Sequence, residues 1–212
     1  MPTHPVDELH PKRPDGEYSL SKLIGEDLAL MASRETGLQI STVRPSHVLS
    51  GTKIFDQFTV SRVCNILKKS QSKPGTELYM EDGTELWHQI EDAAKNQNQP
   101  CSVCDLEGRP WYYQPNDARD IAHCIVCSLE SPSAIGESFN GGSPFPFTFP
   151  EGAKLLAEIT NQDLLEISLP VRWCYDHDIT KAKTLIDYKP KGNLKAMMDS
   201  AIACKMGKTD YT

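Results

Sequence analysis

Glu17-Tyr18-Ser19-Leu20-Ser21-Lys22 is the stretch on which the reading of this chain turns. Tyr18 and Lys22 stand four residues apart, so they share one face if the segment is helical. The residues around them favour a helix: apolar side chains recur at positions 20, 23, 24, 28 and 31, and the pattern stops at Gly37. An ammonium beside a phenol favours the phenolate, which suits a tyrosine that exchanges protons near neutral pH. The same spacing also occurs on exposed helices that do no chemistry, so the pair needs its context.

Working outward, residues 38–43 are mainly β-branched and apolar and run into Arg44-Pro45, which suits a strand ending where proline has no N–H to donate. Helix, tight turn and strand is an α/β signature. Helical pieces are expected over 60–69 and 85–95, separated by the turn-prone Lys73-Pro74-Gly75. A short strand is expected over 101–106. A helix follows over 117–129, where Ile121, Ile125 and Leu129 fall at helical spacing. Residues 138–140 lead into Gly141-Gly142, and Thr148 with Glu151 has the form of a capping box that should open a helix running to about Ile159. A strand near 164–169 and a closing helix after Asn193 complete the outline.

The chain has 212 residues and a net charge of −7, which argues against binding a phosphate backbone. It contains no apolar run long enough to span a bilayer. Residues 1–16 are polar and proline-containing and lack the apolar core of a secretory signal, so the cytoplasm is the expected location. Seven cysteines without such a signal read as reduced thiols. Two pairs, Cys101 with Cys104 and Cys124 with Cys127, have zinc-like spacing. The second pair falls inside the expected 117–129 helix and the first in a strand, so small apolar core residues are the favoured reading and no metal is assigned.

The order of motifs resembles the extended short-chain dehydrogenase/reductase family, the NAD-dependent epimerases and dehydratases and their relatives. Pro5-Val6-Asp7-Glu8 with Pro11 and Pro14 resembles the family's P-x-x-E-x-x-P-x-x-P approach to its catalytic tyrosine. Residues 18–26 are similar to its Y-x-x-S-K-x-x-x-E helix, and Val43-Arg44-Pro45-Ser46-His47-Val48 to its L-R-P-x-N-V strand end. Ala118-Arg119-Asp120-Ile121-Ala122 resembles V-x-D-V-A, Phe139-Asn140-Gly141-Gly142 the y-N-v-g strand end, and Asp178-Ile179-Thr180-Lys181-Ala182 the late D-x-x-K-A element.

This resemblance implies an α/β fold, with part of a Rossmann-like parallel sheet and a small mixed substrate-binding lobe. Residues 1–50 would be the C-terminal part of the dinucleotide-binding domain. Residues 51–212 would form the lobe, interleaved with the last Rossmann strands and helices at about 100–142. Tyr18 would be the acid/base and Lys22 would hold the nicotinamide ribose of NAD or NADP, with Pro45, Ser46, His47 and Val48 along the nicotinamide edge. His47, Arg109, Trp111 and Tyr112 would face a small-molecule substrate, and the Tyr18–Lys22 helix suggests a homodimer. No glycine-rich dinucleotide motif occurs in the 212 residues, and there is no family Ser or Thr upstream of Tyr18. The family's missing start would be about four βα units, on the order of 120 residues. Weak or absent activity is therefore expected for the chain alone.

Overall fold

The computed structural model describes residues 5–71 and 73–208. In chain order its elements begin with α1 (Glu17–Thr36), β1 (Thr42–Pro45), β2 (Val48–Leu49), a 3-10 helix (Gly51–Phe58), α2 (Val60–Gln71) and α3 (Leu86–Ala93). There follow β3 (Cys101–Asp105), β4 (Tyr112–Tyr113), β5 (Asn116–Asp117), α4 (Ala118–Glu130), β6 (Ser138–Gly141), β7 (Phe147–Thr148) and α5 (Phe149–Thr160). The last elements are β8 (Leu165–Leu169), β9 (Cys174–Tyr175), α6 (Thr180–Ile186) and α7 (Leu194–Lys205).

Local signals set several of these boundaries. Gly37 adopts the left-handed conformation (φ 70°) and returns its N–H to Ser33 O at 3.0 Å, which ends α1 where the sequence pattern stops. Asp117 caps α4 by accepting from Arg119 N at 2.8 Å, and Asn193 caps α7 by accepting from Ala196 N at 2.9 Å. The Thr148–Glu151 capping box forms in both directions, with Thr148 Oγ1 accepting from Glu151 N and Glu151 Oε2 accepting from Thr148 N.

Two parallel pairings organise the α/β fold. β1 runs beside β6, in register from Thr42 with Ser138 to Pro45 with Gly141. β3 runs beside β8, from Cys101 with Leu165 to Asp105 with Leu169. β2 lies parallel to β5, while β4 is sandwiched between antiparallel β7 and parallel β9. The strand expected over 38–43 is displaced: Gly136 N donates to Ile40 O outside the ladder, and pairing starts at Thr42 and continues to Pro45, a strand end that tolerates the absent N–H.

Among the described residues two hydrophobic clusters result. The larger one gathers Ile54 and Phe58 from the 3-10 helix, Val63 and Leu67 from α2, Cys101 and Val103 from β3, Trp111, Tyr113, Phe149 from α5 and Met198 from α7. Its centre is aromatic: Phe58, Trp111, Tyr113, Phe149 and Trp173 have neighbouring ring centroids 5.7–6.4 Å apart. Gly152 on α5 lets the helix lie against Phe58, since a Cβ there would meet ring carbons at 2.3 Å. The smaller cluster holds Cys124, Phe139, Ile179, Ala182, Ile186 and Tyr188, with Val43 beside it.

Residues 100–142 are shared between the two clusters. Cys101 and Val103 are fully buried in the larger cluster and β3 packs under α5, so β3 and β4 belong to the larger cluster. Only α4 and β6 from that span join β1. The reason is pairing: β3 finds its parallel partner in β8, not in β1 or β6.

Candidate active site

The site is framed by one hydrogen-bonded network that ties distant segments together. Glu26, on α1, accepts from Arg44 Nε at 3.1 Å and from Arg44 Nη2, from Lys12 Nζ at 2.8 Å, and from Ser138 Oγ at 3.2 Å. Burial alone would raise its pKa, but the hydrogen bonds from Arg44 and Lys12 bring it down to about 2. Arg44 Nη1 donates to Glu8 O at 3.0 Å, and Glu8 Oε1 in turn accepts from Asn140 N at 2.7 Å. The Asn140 amide donates to Val6 O at 2.9 Å and Asp178 O at 3.2 Å. Val6 N and O also bond Asp176 O and Asp178 N, each at 2.9 Å. Asp120, buried at the start of α4, accepts from Lys191 N and Gly192 N at 2.9 and 2.7 Å. Gly192 is required there because a Cβ would stand 2.6 Å from an Asp120 oxygen.

These bonds hold α1 in place and present its first turns outward. The Lys22 ammonium lies 5.2 Å from the centre of the Tyr18 ring, and Tyr18 is 77% exposed. The Pro45–Val48 turn is held by its backbone and by Ser46, whose hydroxyl donates to Gln114 O at 2.5 Å, while His47 O accepts from Asn116 N at 2.9 Å. The His47 ring sits below its ordinary pKa, first through burial and then through the nearby Arg62 cation. Among the described residues, no hydrogen bond or ring contact joins Tyr18 to this turn.

The proposed substrate contacts separate into different roles. Arg109 is already committed, with Nε to Asp105 at 2.6 Å and Nη2 to Glu107 at 3.0 Å. Trp111 is fully buried and its indole N–H donates to Val171 O at 2.9 Å. It has no surface left to meet a ligand, so the expectation for Trp111 is corrected: a large ring whose N–H finds a backbone acceptor is a core residue here. Tyr112 is half-buried under the Arg172 guanidinium, 5.5 Å from its ring centre, and burial, with Cys174 and Asp176 nearby, pushes its hydroxyl up to about 12.

The two cysteine pairs do not converge. Cys101 lies in the larger cluster and Cys124 in the smaller one, and burial pushes both thiols up to about 12. Among the described residues, no three His, Cys, Asp or Glu side chains form a metal-binding group. Sequence spacing gave no sign of a cleft of about 520 Å³ lined by His10, Arg13, Thr76, Trp173, Cys174 and Tyr175. Its walls come from three separate chain segments.

The family model "NAD dependent epimerase/dehydratase family" matches residues 1–142, more than half of the chain. The chain belongs to the NAD-dependent epimerase/dehydratase family. No curated protein matches its sequence. Among solved structures, this epimerase/dehydratase chain is similar to a short-chain dehydrogenase/reductase superfamily protein from Agrobacterium tumefaciens with bound NAD. The TM-score is 0.75 at 20% identity, covering 97% of this chain and 62% of that one. RMD from Pseudomonas aeruginosa complexed with NADPH gives 0.64 at 14% identity, covering 97% and 60%. UDP-glucuronic acid 4-epimerase from Bacillus cereus in complex with NAD gives 0.63 at 19%, covering 96% and 57%. At these identities the likeness establishes the shared Rossmann-type fold, and the chain spans about three-fifths of each relative's length. No described helix is long and apolar enough to cross a membrane.

Proposed function

We propose that this chain is the catalytic-helix and substrate-lobe part of an NAD(P)-dependent epimerase, dehydratase or reductase acting at a sugar-like or hydroxy-ketone carbon. The observation that carries this reading is the juxtaposition of Tyr18 and Lys22 on an exposed helix anchored by Glu26 to Arg44 and Ser138. When bound, NAD or NADP would supply hydride chemistry at the substrate carbon. Tyr18 would exchange a proton at its phenolic oxygen with the substrate oxygen, and the Lys22 ammonium would hold the nicotinamide ribose. The Pro45–Val48 turn, fixed through Ser46 and His47 O, would lie along the nicotinamide edge.

These residues fit the nicotinamide end of a dinucleotide. The pyrophosphate end needs a glycine-rich turn at a helix N-terminus, which the 212 residues do not contain. The isolated chain is therefore expected to bind NAD and NADH weakly and to turn over little. Titration with saturating NAD or NADH, followed by melting temperature and nucleotide fluorescence, checks this, and clear saturable binding overturns it.

A second reading, a non-catalytic binder of small molecules or partners built on the lobe, draws support from the cleft of about 520 Å³, whose lining residues do not include Tyr18. The exposed stripe Leu20, Ile24, Leu28 and Met31 on α1 supports pairing with a second copy through this helix.

A further inference from the structure

The connection between α6 and α7 carries a lysine-bearing segment, Tyr188-Lys189-Pro190-Lys191-Gly192, which is pressed onto the first turn of α4. Its backbone is fixed at three points. The buried Tyr188 hydroxyl donates to Gly142 O at 2.9 Å, and Lys191 N and Gly192 N donate to the two Asp120 oxygens at 2.9 and 2.7 Å. Gly192 comes so close to α4 that a Cβ there would also stand 2.9 Å from Asp117 Cβ. Beside this contact is a cavity of about 360 Å³, lined by Asp117, Arg119, Asp120 and His123 from the α4 side and by Lys189 and Lys191 from the connection. Neither Tyr18, Lys22, the Pro45–Val48 turn nor any residue of the larger cleft lines it.

The walls of this cavity offer donors, while their carboxylate oxygens are already engaged. Arg119 donates to Asp117 Oδ1 from its backbone N at 2.8 Å and from Nε at 3.0 Å, and to Asp117 Oδ2 from Nη2 at 2.6 Å. Both Asp120 oxygens are held by backbone N–H groups of the connection. The Lys191 ammonium has no hydrogen-bond or ion-pair partner among the described residues. Lys189 pairs with Asp187, which lies outside the cavity, and both side chains are so exposed that water screens the pair. Ammonium and guanidinium groups donate and never accept, so the unused hydrogen-bonding capacity here is of one kind. Cations gathered in one cavity also repel one another until a counter-anion joins them. They stand on two walls, so a ligand that meets both must carry anionic oxygens at both ends.

We propose that this cavity binds a diphosphate group, free or carried by a small molecule, through Arg119 and His123 on α4 and Lys189 and Lys191 on the connection. The site is separate from the acid/base pair and from the larger cleft, and so goes beyond the reading of the chain as part of an epimerase, dehydratase or reductase. Pro190 between the two lysines, and the bonds from Lys191 N and Gly192 N to Asp120, hold the backbone that presents them before any ligand arrives.

The test is calorimetric titration of the full 212-residue chain with inorganic pyrophosphate in metal-free buffer, beside orthophosphate, citrate and ADP. One saturable pyrophosphate site is expected, with orthophosphate and citrate at least tenfold weaker. The double variant Lys189→Met with Lys191→Met should weaken pyrophosphate binding at least tenfold at an unchanged melting temperature, since both side chains are exposed. Lys53→Met with Lys154→Met removes the same charge from exposed positions elsewhere and should keep the parent's affinity. Lys22→Met should keep it too, which separates this cavity from the proposed nicotinamide end. ADP binding tighter than pyrophosphate marks a nucleotide as the carrier, and ADP binding no tighter marks the diphosphate group itself. Absence of saturable pyrophosphate binding overturns the site. So does equal weakening in the Lys53 and Lys154 double variant, loss of binding in Lys22→Met, or orthophosphate or citrate binding as tightly as pyrophosphate.

Discussion

The lobe around β3 and β8 and the layer around β1 and β6 are both parallel α/β pairings, yet they enclose very different interiors. β3 is buried on both faces, as parallel strands covered by helices are, with α5 packed over it and the aromatic cluster beside it. β1 has no fully buried residue, pairs along a single edge among the described residues, and carries α1, a 20-residue helix that buries none of its side chains. The same local rules have built a closed unit in one place and an open one in the other. The lobe is stabilised by apolar packing, whereas α1 is held in position mainly by hydrogen bonds and ion pairs centred on Glu26.

The largest effect is expected where the closed unit is cut. Trp111→Ala removes a fully buried ring that touches Phe149 and Trp173 and leaves Val171 O without its donor. Such a truncation costs about 3–5 kcal/mol. Urea denaturation should show that loss in the transition monitored by the remaining tryptophans. A cost below about 1 kcal/mol would mean that the lobe is not the chain's principal core.

A smaller effect, confined to the open layer, is expected at Glu26. Its folded pKa of about 2 lies below its ordinary 4.5, so the unfolded chain takes up the proton first and stability rises with pH across that interval. The contribution is complete above pH 4.5 and is lost as the pH falls toward 2. Its size is about 2 kcal/mol, after allowing for solvent screening at the half-exposed Lys12. In Glu26→Gln, hydrogen exchange of the α1 amides should speed up about thirtyfold, the factor to which 2 kcal/mol corresponds, while the β3 and β8 amides keep their protection. The acid limb between pH 4.5 and 2 should flatten. Equal acceleration in the lobe would erase the distinction between the two regions.

The same contrast decides what could be read in the sequence. Helix ends were legible because caps act within a few residues: Gly37, Asp117, Thr148 with Glu151, and Asn193 all behave as their types suggest. Cys101 and Cys124 lie in the two cores as small apolar side chains. The family motifs placed Glu8, Glu26, Arg44, Asn140 and Asp178 in order, but not in contact. Glu8 meets Asn140 across 132 residues, a separation at which no local pattern carries information. β4, β7 and β9 are two residues each, too short to show strand alternation. The partner of β3 also lay out of reach: β3 is buried nearly throughout and shows no alternation, while β8 alternates Leu165, Ile167 and Leu169 with exposed Glu166 and Ser168, and neither pattern selects one distant neighbour over another.

The smallest effect on stability is expected on the outer face of α1, where the comparison can be sharpened most cleanly. Leu20, Ile24, Leu28 and Met31 are each 42–55% exposed and fall at helical spacing, so they form one apolar stripe along the helix. Because none of them is part of either core, Leu28→Glu should change the unfolding free energy of the single chain by less than about 0.5 kcal/mol. Its consequence should appear in association instead. If a second copy packs through this stripe, sedimentation velocity on the parent chain will show a concentration-dependent dimer, and one buried glutamate at its centre should shift that equilibrium toward monomer by at least tenfold. A parent chain that remains monomeric at high micromolar concentration rules out the homodimer. A dimer that Leu28→Glu leaves intact moves the interface elsewhere. A loss of several kcal/mol in the monomer would show that α1 is packed after all, and the open layer would then be as closed as the lobe.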